Sequence, residues 1–252
     1  MVNFIKEGIF VSQKMLRIPW IDELRGLAIL AMILHHICFN LIYFLELSVP
    51  WLEVFLESMI FKGIQTAFVA VFLCLSGICC HLTHHPLKRA ARVFTGALAV
   101  TAVTYFLYPD EAIWFGILHC LAFCMALYAF LKPYADRIPP RIGIPVFIAI
   151  FIFTFGIPNG QILGLALPEA LYRGGILMPL GFPSPTFQSL DYVPLLPHLF
   201  LFCIGVTLGN RVLPVGKTHS RFLAFCGRHS LFIYLVHQPA VFGIFFILSK
   251  IL

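Results

Sequence analysis

Arg25 and His36 stand eleven residues apart in the stretch IDELRGLAILAMILHHICFN, which opens on Asp22, Glu23 and Arg25 and then turns to hydrocarbon. On a helix, at about 100° and about 1.5 Å per residue, the two fall within about 20° of one another and about 16–17 Å apart along the axis. Asp22, Asn40 and Tyr43 lie near the same line. The chemistry such a stripe offers is anion binding at its foot, since guanidinium suits phosphate, and proton transfer at depth by a neutral imidazole. Two plainer roles compete. Arg25, beside Asp22 at i−3, also serves as a helix anchor, and His36 also serves as a hydrogen-bonded packing residue. His35 points about 100° away and reads as a supporting side chain.

Three further histidines sit in apolar runs: His119 in WFGILHCLAF, His198 in DYVPLLPHLFLF, and His237 in GRHSLFIYLVHQP. Ser230 and Tyr234 share the face of His237, and Pro239 follows it. Imidazoles on four helices at mid to outer depth are expected to meet in one cavity. Three uses compete for them: acid–base catalysis, bis-His haem ligation, and a polar pathway through a small-molecule transporter. His84, His85, His219 and His229 fall between apolar runs and read as surface groups. The eight cysteines lie almost entirely inside apolar runs and form no CxxC pair, which argues against a disulfide framework or a zinc site. Cys38, close to His36, is the one candidate acyl carrier.

The elements that must position these residues follow from composition. Of 252 residues, 60% are hydrophobic and 11% charged, against about 25% charged in soluble domains. Such a chain cannot coat a water-facing surface. The net charge of +6 is therefore not a nucleic-acid signature. Seven apolar runs, 24–45, 61–82, 90–108, 112–131, 142–157, 195–212 and 230–249, approach the length of about 20 residues that crosses a bilayer. Most of the 17 Lys and Arg lie before run one and between runs two and three, four and five, and six and seven. Acidic residues such as Glu53, Glu57 and Asp191 mark the alternate segments. The positive-inside rule then puts the N-terminus in the cytoplasm and the C-terminus outside. The expectation is an all-α, polytopic integral membrane bundle of about seven transmembrane helices, one domain over 1–252, in the cell inner (plasma) membrane. Residues 1–20 read as a cytoplasmic lead-in and not a cleaved signal. The Gly/Pro-rich segment 158–194 reads as an outer loop or cap, either a lid over substrate or a packed structural piece.

The segments IDELRGLAILAMILHH, FLCLSGI, WFGILHCLA, LDYVPLLP with FCIGVTLG after it, and GRHSLFIYLVHQP occur in this order. Together, over roughly residues 17–245, they resemble the bacterial branch of the heparan-alpha-glucosaminide N-acetyltransferase catalytic-domain family. Arg25-x10-His36 is similar to the Arg-x10-His signature of the wider membrane acyltransferase superfamily. The resemblance implies acyl transfer from cytoplasmic acyl-CoA, acetyl-CoA foremost, to an acceptor across the membrane, an envelope glycan. It implies that Arg25, with Asp22, Arg228 and Ser230, receives CoA. His36 is then the base where acyl group and acceptor meet, with Asn40 and His237 as catalytic partners, and His119, His198 and Tyr234 line the substrate pocket. No metal is expected, and a homo-oligomer is compatible with this picture. The chain departs from the family in two places. Lysosomal relatives have Asn at the position of His36 and a functional histidine in the first external loop, where this chain has none. Bacterial relatives usually have Trp where His198 stands.

Overall fold

Proline and serine set most of the helix starts. Pro19, Pro50, Pro86 and Pro140 are the first residues of α1 (Pro19–Tyr43), α2 (Pro50–Glu57), α4 (Pro86–Leu107) and α6 (Pro140–Thr154). The fixed φ of proline suits that position, and its missing N–H is not needed there. Ser58 caps α3 (Met59–His81) by accepting the Phe61 N–H at 3.1 Å. Ser220 caps α8 (Arg221–Arg228) through the Leu223 N–H at 3.2 Å. The remaining helices are α5 (Ile117–Ala135), α7 (Leu195–Gly209) and α9 (Ser230–Leu248). The structure is a computed structural model and describes residues 18–43, 49–107, 109, 112–209, 211 and 217–248.

Glycine lets the backbones touch where helices carry no side-chain gap. Gly77 of α3 lies against the Phe202 carbonyl and Gly205 of α7 against the Cys74 carbonyl, with no room for a Cβ at either. The Cys74 thiol donates to the Leu201 carbonyl at 3.1 Å in the same seam. A second close pair joins α1 to α8: Gly26 faces the Leu223 carbonyl and Gly227 faces the Asp22 carbonyl. Small residues that allow such approach are the usual cement of helices in lipid. The main core, including Leu73, Ala97, Leu121, Met125 and Phe202, lies among α3, α4, α5 and α7.

Two extended stretches break the helical pattern. The Val193 N–H donates to the Phe115 carbonyl at 2.9 Å, and Phe115 and Tyr192 form a parallel bridge. The Thr101 hydroxyl donates to the Ile113 carbonyl at 2.6 Å, and the Thr104 hydroxyl accepts the Ile113 N–H at 3.1 Å. Residues 112–116 thus run back beside the last turns of α4, and α5 starts at Ile117, five residues later than run four implies. Side chains and the paired stretch satisfy the backbone groups a longer helix would have bonded internally. The segment between α6 and α7 is an ordered cap of 3-10 turns and one hairpin of β1 (Gln161–Ile162) and β2 (Leu165–Ala166). The Tyr172 hydroxyl donates to the Ile157 carbonyl at 2.5 Å and the Tyr192 hydroxyl to the Met178 carbonyl at 2.6 Å, which ties the cap down.

Each of the seven apolar runs contains a helix. Five helices, α1, α3, α4, α5 and α6 with its following turn, are long and apolar enough to cross a membrane. α7 has 15 residues, and α9 is an apolar helix over Ser230–Val241 and runs on to Leu248. α2 and α8 fall outside the seven runs. The lead-in is described only from Ile18, so Lys6, Lys14 and Arg17 lie outside the described residues, as do Glu46, Asp110 and Glu111.

Candidate functional site

The foot of the stripe is built by three helices. α8 packs on the first turns of α1 through the Gly26 and Gly227 contacts. The Glu23 carboxylate accepts the His219 N–H at 2.6 Å and the Ser220 N–H at 2.9 Å, an anion on the N-terminus of α8. One residue before Gly26, Arg25 Nη2 donates to Ser230 Oγ at 2.6 Å, tying α1 to the start of α9. Arg25 Nε is buried and has no partner among the described residues. Cys79 of α3 and Arg89 of α4 are close enough to act on this guanidinium electrostatically, together with Asp22. Arg228 is exposed at the end of α8.

Higher up, α1 and α9 meet again. The rings of His36 and His237 are 5.1 Å apart between centroids, and those of His35 and His36 are 5.2 Å apart. Arg25 with Ser230 below and His36 with His237 above require α1 and α9 to run in the same direction. His237 Nδ1 lies 2.6 Å from the Tyr234 carbonyl. A carbonyl can only accept, so Nδ1 carries the proton and Nε2 the lone pair. The Tyr234 ring is 5.3 Å from that of His237. Its hydroxyl donates to Asp191 Oδ2 at 3.3 Å, and the same oxygen accepts the Ile117 N–H at 3.1 Å. Asp191 therefore sits on the N-terminus of α5, where the helix dipole favours an anion.

A cavity of about 380 Å³ opens beside this string of groups. His35, His36, Gln65, Asp191 and Tyr234 are its polar lining, and the rest is apolar apart from Cys38. That volume falls in the range of small-molecule sites. His35 Nδ1 is buried without a partner among the described residues, so the histidine expected to be a support stands at the cavity wall beside His36.

The other expected site residues lie away from the cavity lining. His119 does not line the cavity. It lies two residues, about 200° of helix, beyond Ile117, which does line it. Its ring packs between Phe115 at 5.7 Å and Phe94 at 6.2 Å, with Nε2 3.4 Å from the Thr101 hydroxyl. His198 turns back so that Nδ1 donates to the Pro194 carbonyl at 2.9 Å, a bond of the first turn of α7 and outside the cavity. Asn40 is buried near the end of α1 and its Nδ2 has no partner among the described residues, but it too lies off the cavity lining. Arg25 and Ser230 bond each other and do not open into the cavity as a cationic mouth. The meeting of four imidazoles becomes a contact of two, with His35 added.

Asp191 and Gln65 do not stand out in the sequence. Asp191 reads there as one more outer-loop acid. Its signal is the combination of a lone carboxylate just before YVPLLP and a glycine, Gly116, just before α5; a Cβ on Gly116 would press into that carboxylate. Among the described residues no three His, Cys, Asp or Glu side chains cluster as a metal site would require.

A sequence-family model described as heparan-alpha-glucosaminide N-acetyltransferase, catalytic, matches residues 17–239, which takes in every group of the site from Arg25 to His237. No individual curated protein and no solved structure matches the chain. With nearly its whole length covered by that one match, the chain belongs to the heparan-alpha-glucosaminide N-acetyltransferase catalytic-domain family.

Proposed function

We propose that the protein moves an acetyl group from cytoplasmic acetyl-CoA to a hydroxyl or amine of a sugar, an envelope glycan, on the outer side of the cell inner (plasma) membrane. It does so as a single seven-span domain with a cytoplasmic N-terminus. The observation that carries this reading is His36, standing in the wall of the cavity and braced from behind by His237. Membership of an acetyltransferase family supplies the reaction class.

In this reading the phosphates of CoA lie at the inner end. Arg25 and Arg89 bring two cations near each other there, with Ser230 and Asp22 beside Arg25 and the exposed Arg228 at the end of α8. A neighbouring pair of guanidinium groups favours an anion between them. The acceptor occupies the cavity. Its O–H or N–H gives its proton to a ring nitrogen of His36 as the oxygen or nitrogen attacks the thioester carbonyl carbon. The C–S bond then breaks, and the imidazolium returns the proton to the CoA thiolate. General-base help of this kind is typically worth about 10²–10⁴ in rate. His237 holds the His36 ring and is a positioning residue. Tyr234 and Gln65 offer donors to the carbonyl oxygen as charge develops on it.

The test is incubation of proteoliposomes with acetyl-labelled CoA and an envelope glycan extract. Label is expected in the glycan fraction, reduced at least about 100-fold by His36→Ala in protein that melts like the wild type. A folded His36→Ala protein with undiminished transfer removes the base, and wild-type protein that transfers label to nothing removes the activity.

A further inference from the structure

The walls of the cavity are chemically unequal. Its polar groups come from α1 (His35, His36) and from the side where Asp191 and Tyr234 meet. The part of the wall from α2 and α3 contributes Gln65 and otherwise only apolar side chains such as Leu52, Phe61 and Phe72. A free sugar carries hydroxyls on every face, and each one buried against hydrocarbon without a partner is unfavourable. The cavity is therefore shaped for a ligand that is polar at one end and apolar at the other.

The opening points the same way. Leu34, Phe55, Ile64 and Phe68 line the cavity and are also 61%, 40%, 41% and 37% exposed. All four are apolar. Leu34 lies on α1, and Ile64 and Phe68 on α3, two of the helices long and apolar enough to cross a membrane. Exposed apolar side chains from both helices at the cavity rim are what an opening toward lipid between α1 and α3 requires. α2 sits over it with Trp51 and Val54 exposed, as an interfacial helix does. A water-borne sugar has no reason to cross this rim, whereas a hydrocarbon chain fits it.

We infer that the acceptor is an amphiphile, a sugar headgroup carried on a membrane lipid tail, which enters sideways between α1 and α3. Its headgroup lies at His35, His36 and Asp191 and its tail along the α3 wall. This rests on the acyl-transfer reading for the reaction and adds the class of acceptor. No new bond chemistry is involved: the headgroup O–H or N–H is acetylated and CoA–SH leaves.

Binding is tested apart from turnover. An alkyl glucosaminide with a diazirine in its chain is photolysed with the full-length protein in liposomes, and the labelled residues are mapped by mass spectrometry. Labelling is expected at Leu34, Ile64 and Phe68 and should be displaced by excess unlabelled alkyl glucosaminide but not by glucosamine. Ile64→Trp and Phe68→Trp, two alternative plugs at the rim, should each reduce that labelling by about tenfold, as expected when a well-packed apolar pocket is spoiled. Labelling spread over all lipid-facing helices without displacement overturns the inference. So does displacement by long-chain acyl-CoA alone, which would give the groove to the donor. In the transfer assay, alkyl glucosaminide should be acetylated with kcat/KM at least about tenfold above glucosamine, and equal values also overturn it. Displaceable labelling without acetyl transfer to any acceptor would instead refute the proposed reaction and leave the lipid site standing.

Discussion

Asp191 offers the sharpest test of how the site is held. One of its oxygens accepts both the Ile117 N–H at 3.1 Å and the Tyr234 hydroxyl at 3.3 Å. Asp191→Ala leaves both donors without their acceptor. Each buried orphan costs about 1–3 kcal/mol, and losing an anion at a helix N-terminus adds about 0.3–1 kcal/mol. Because Asp191 borders the cavity, water offsets part of this, so the low end applies, about 2–3 kcal/mol. In a chain of this size 1 kcal/mol moves the melting temperature by about 2–4 °C, which predicts a fall of about 4–12 °C. Asp191→Asn keeps an oxygen in place for both donors and gives up only the charge, so it should cost about 1 kcal/mol or less. The assay is thermal unfolding of detergent-solubilised protein, with wild type, both variants and Tyr234→Phe in parallel. Asp191→Ala melting with Asp191→Asn or with the wild type would refute the idea that this carboxylate ties α5 to α9.

Other outcomes follow from contacts elsewhere. Gly227→Ala drives a methyl into the Asp22 carbonyl, and such overpacking should destabilise by about 1–3 kcal/mol and release the α1–α8 clamp, read as faster proteolysis after Lys217. Ser230→Ala removes the hydrogen bond from Arg25, and should raise the KM for acetyl-CoA by several-fold while leaving acceptor KM unchanged in the same assay. Asp136, just past α5, is pushed up by burial, but hydrogen bonds from Tyr128 at 2.8 Å and Lys132, with the Lys132 charge at 3.1 Å, outweigh this and hold it below the usual aspartate value. A carboxyl depressed in the folded state contributes stability above its unfolded value of about 3.9 and loses it as pH falls through the folded value. The melting temperature should drop as pH falls below about 5, and Asp136→Asn should flatten that slope.

The helical stripe from Arg25 to His36 is legible in sequence because a 3.6-residue period fixes which side chains share a face. His237 is legible for the same reason, with Ser230 and Tyr234 beside it. What lies off that face depends on partners the period cannot name. α2 and α8 are only eight residues each; their stability comes from tertiary contacts, such as Glu23 on the α8 N-terminus, and not from a long apolar run. His119 illustrates a different loss. Hydropathy continues smoothly from Ala112 into α5, yet pairing of Phe115 with Tyr192 holds residues 112–116 extended. The register of that helix, and so the direction of His119, was set by a segment far away in the chain. Asp191 was hidden likewise, since its meaning comes from Ile117 and Tyr234.

The glycine seam between α3 and α7 has a consequence for how the protein is made. α7 is about 22 Å long at 15 residues, short of a hydrocarbon layer of about 30 Å. Alone, it is a poor candidate to leave the translocation machinery for lipid. With Gly77 and Gly205 letting it nest directly on α3, it has a ready berth on a helix synthesised more than a hundred residues earlier. Biogenesis of the C-terminal third is thereby coupled to prior integration of the N-terminal helices, and widening either glycine should appear first as lost membrane integration during synthesis.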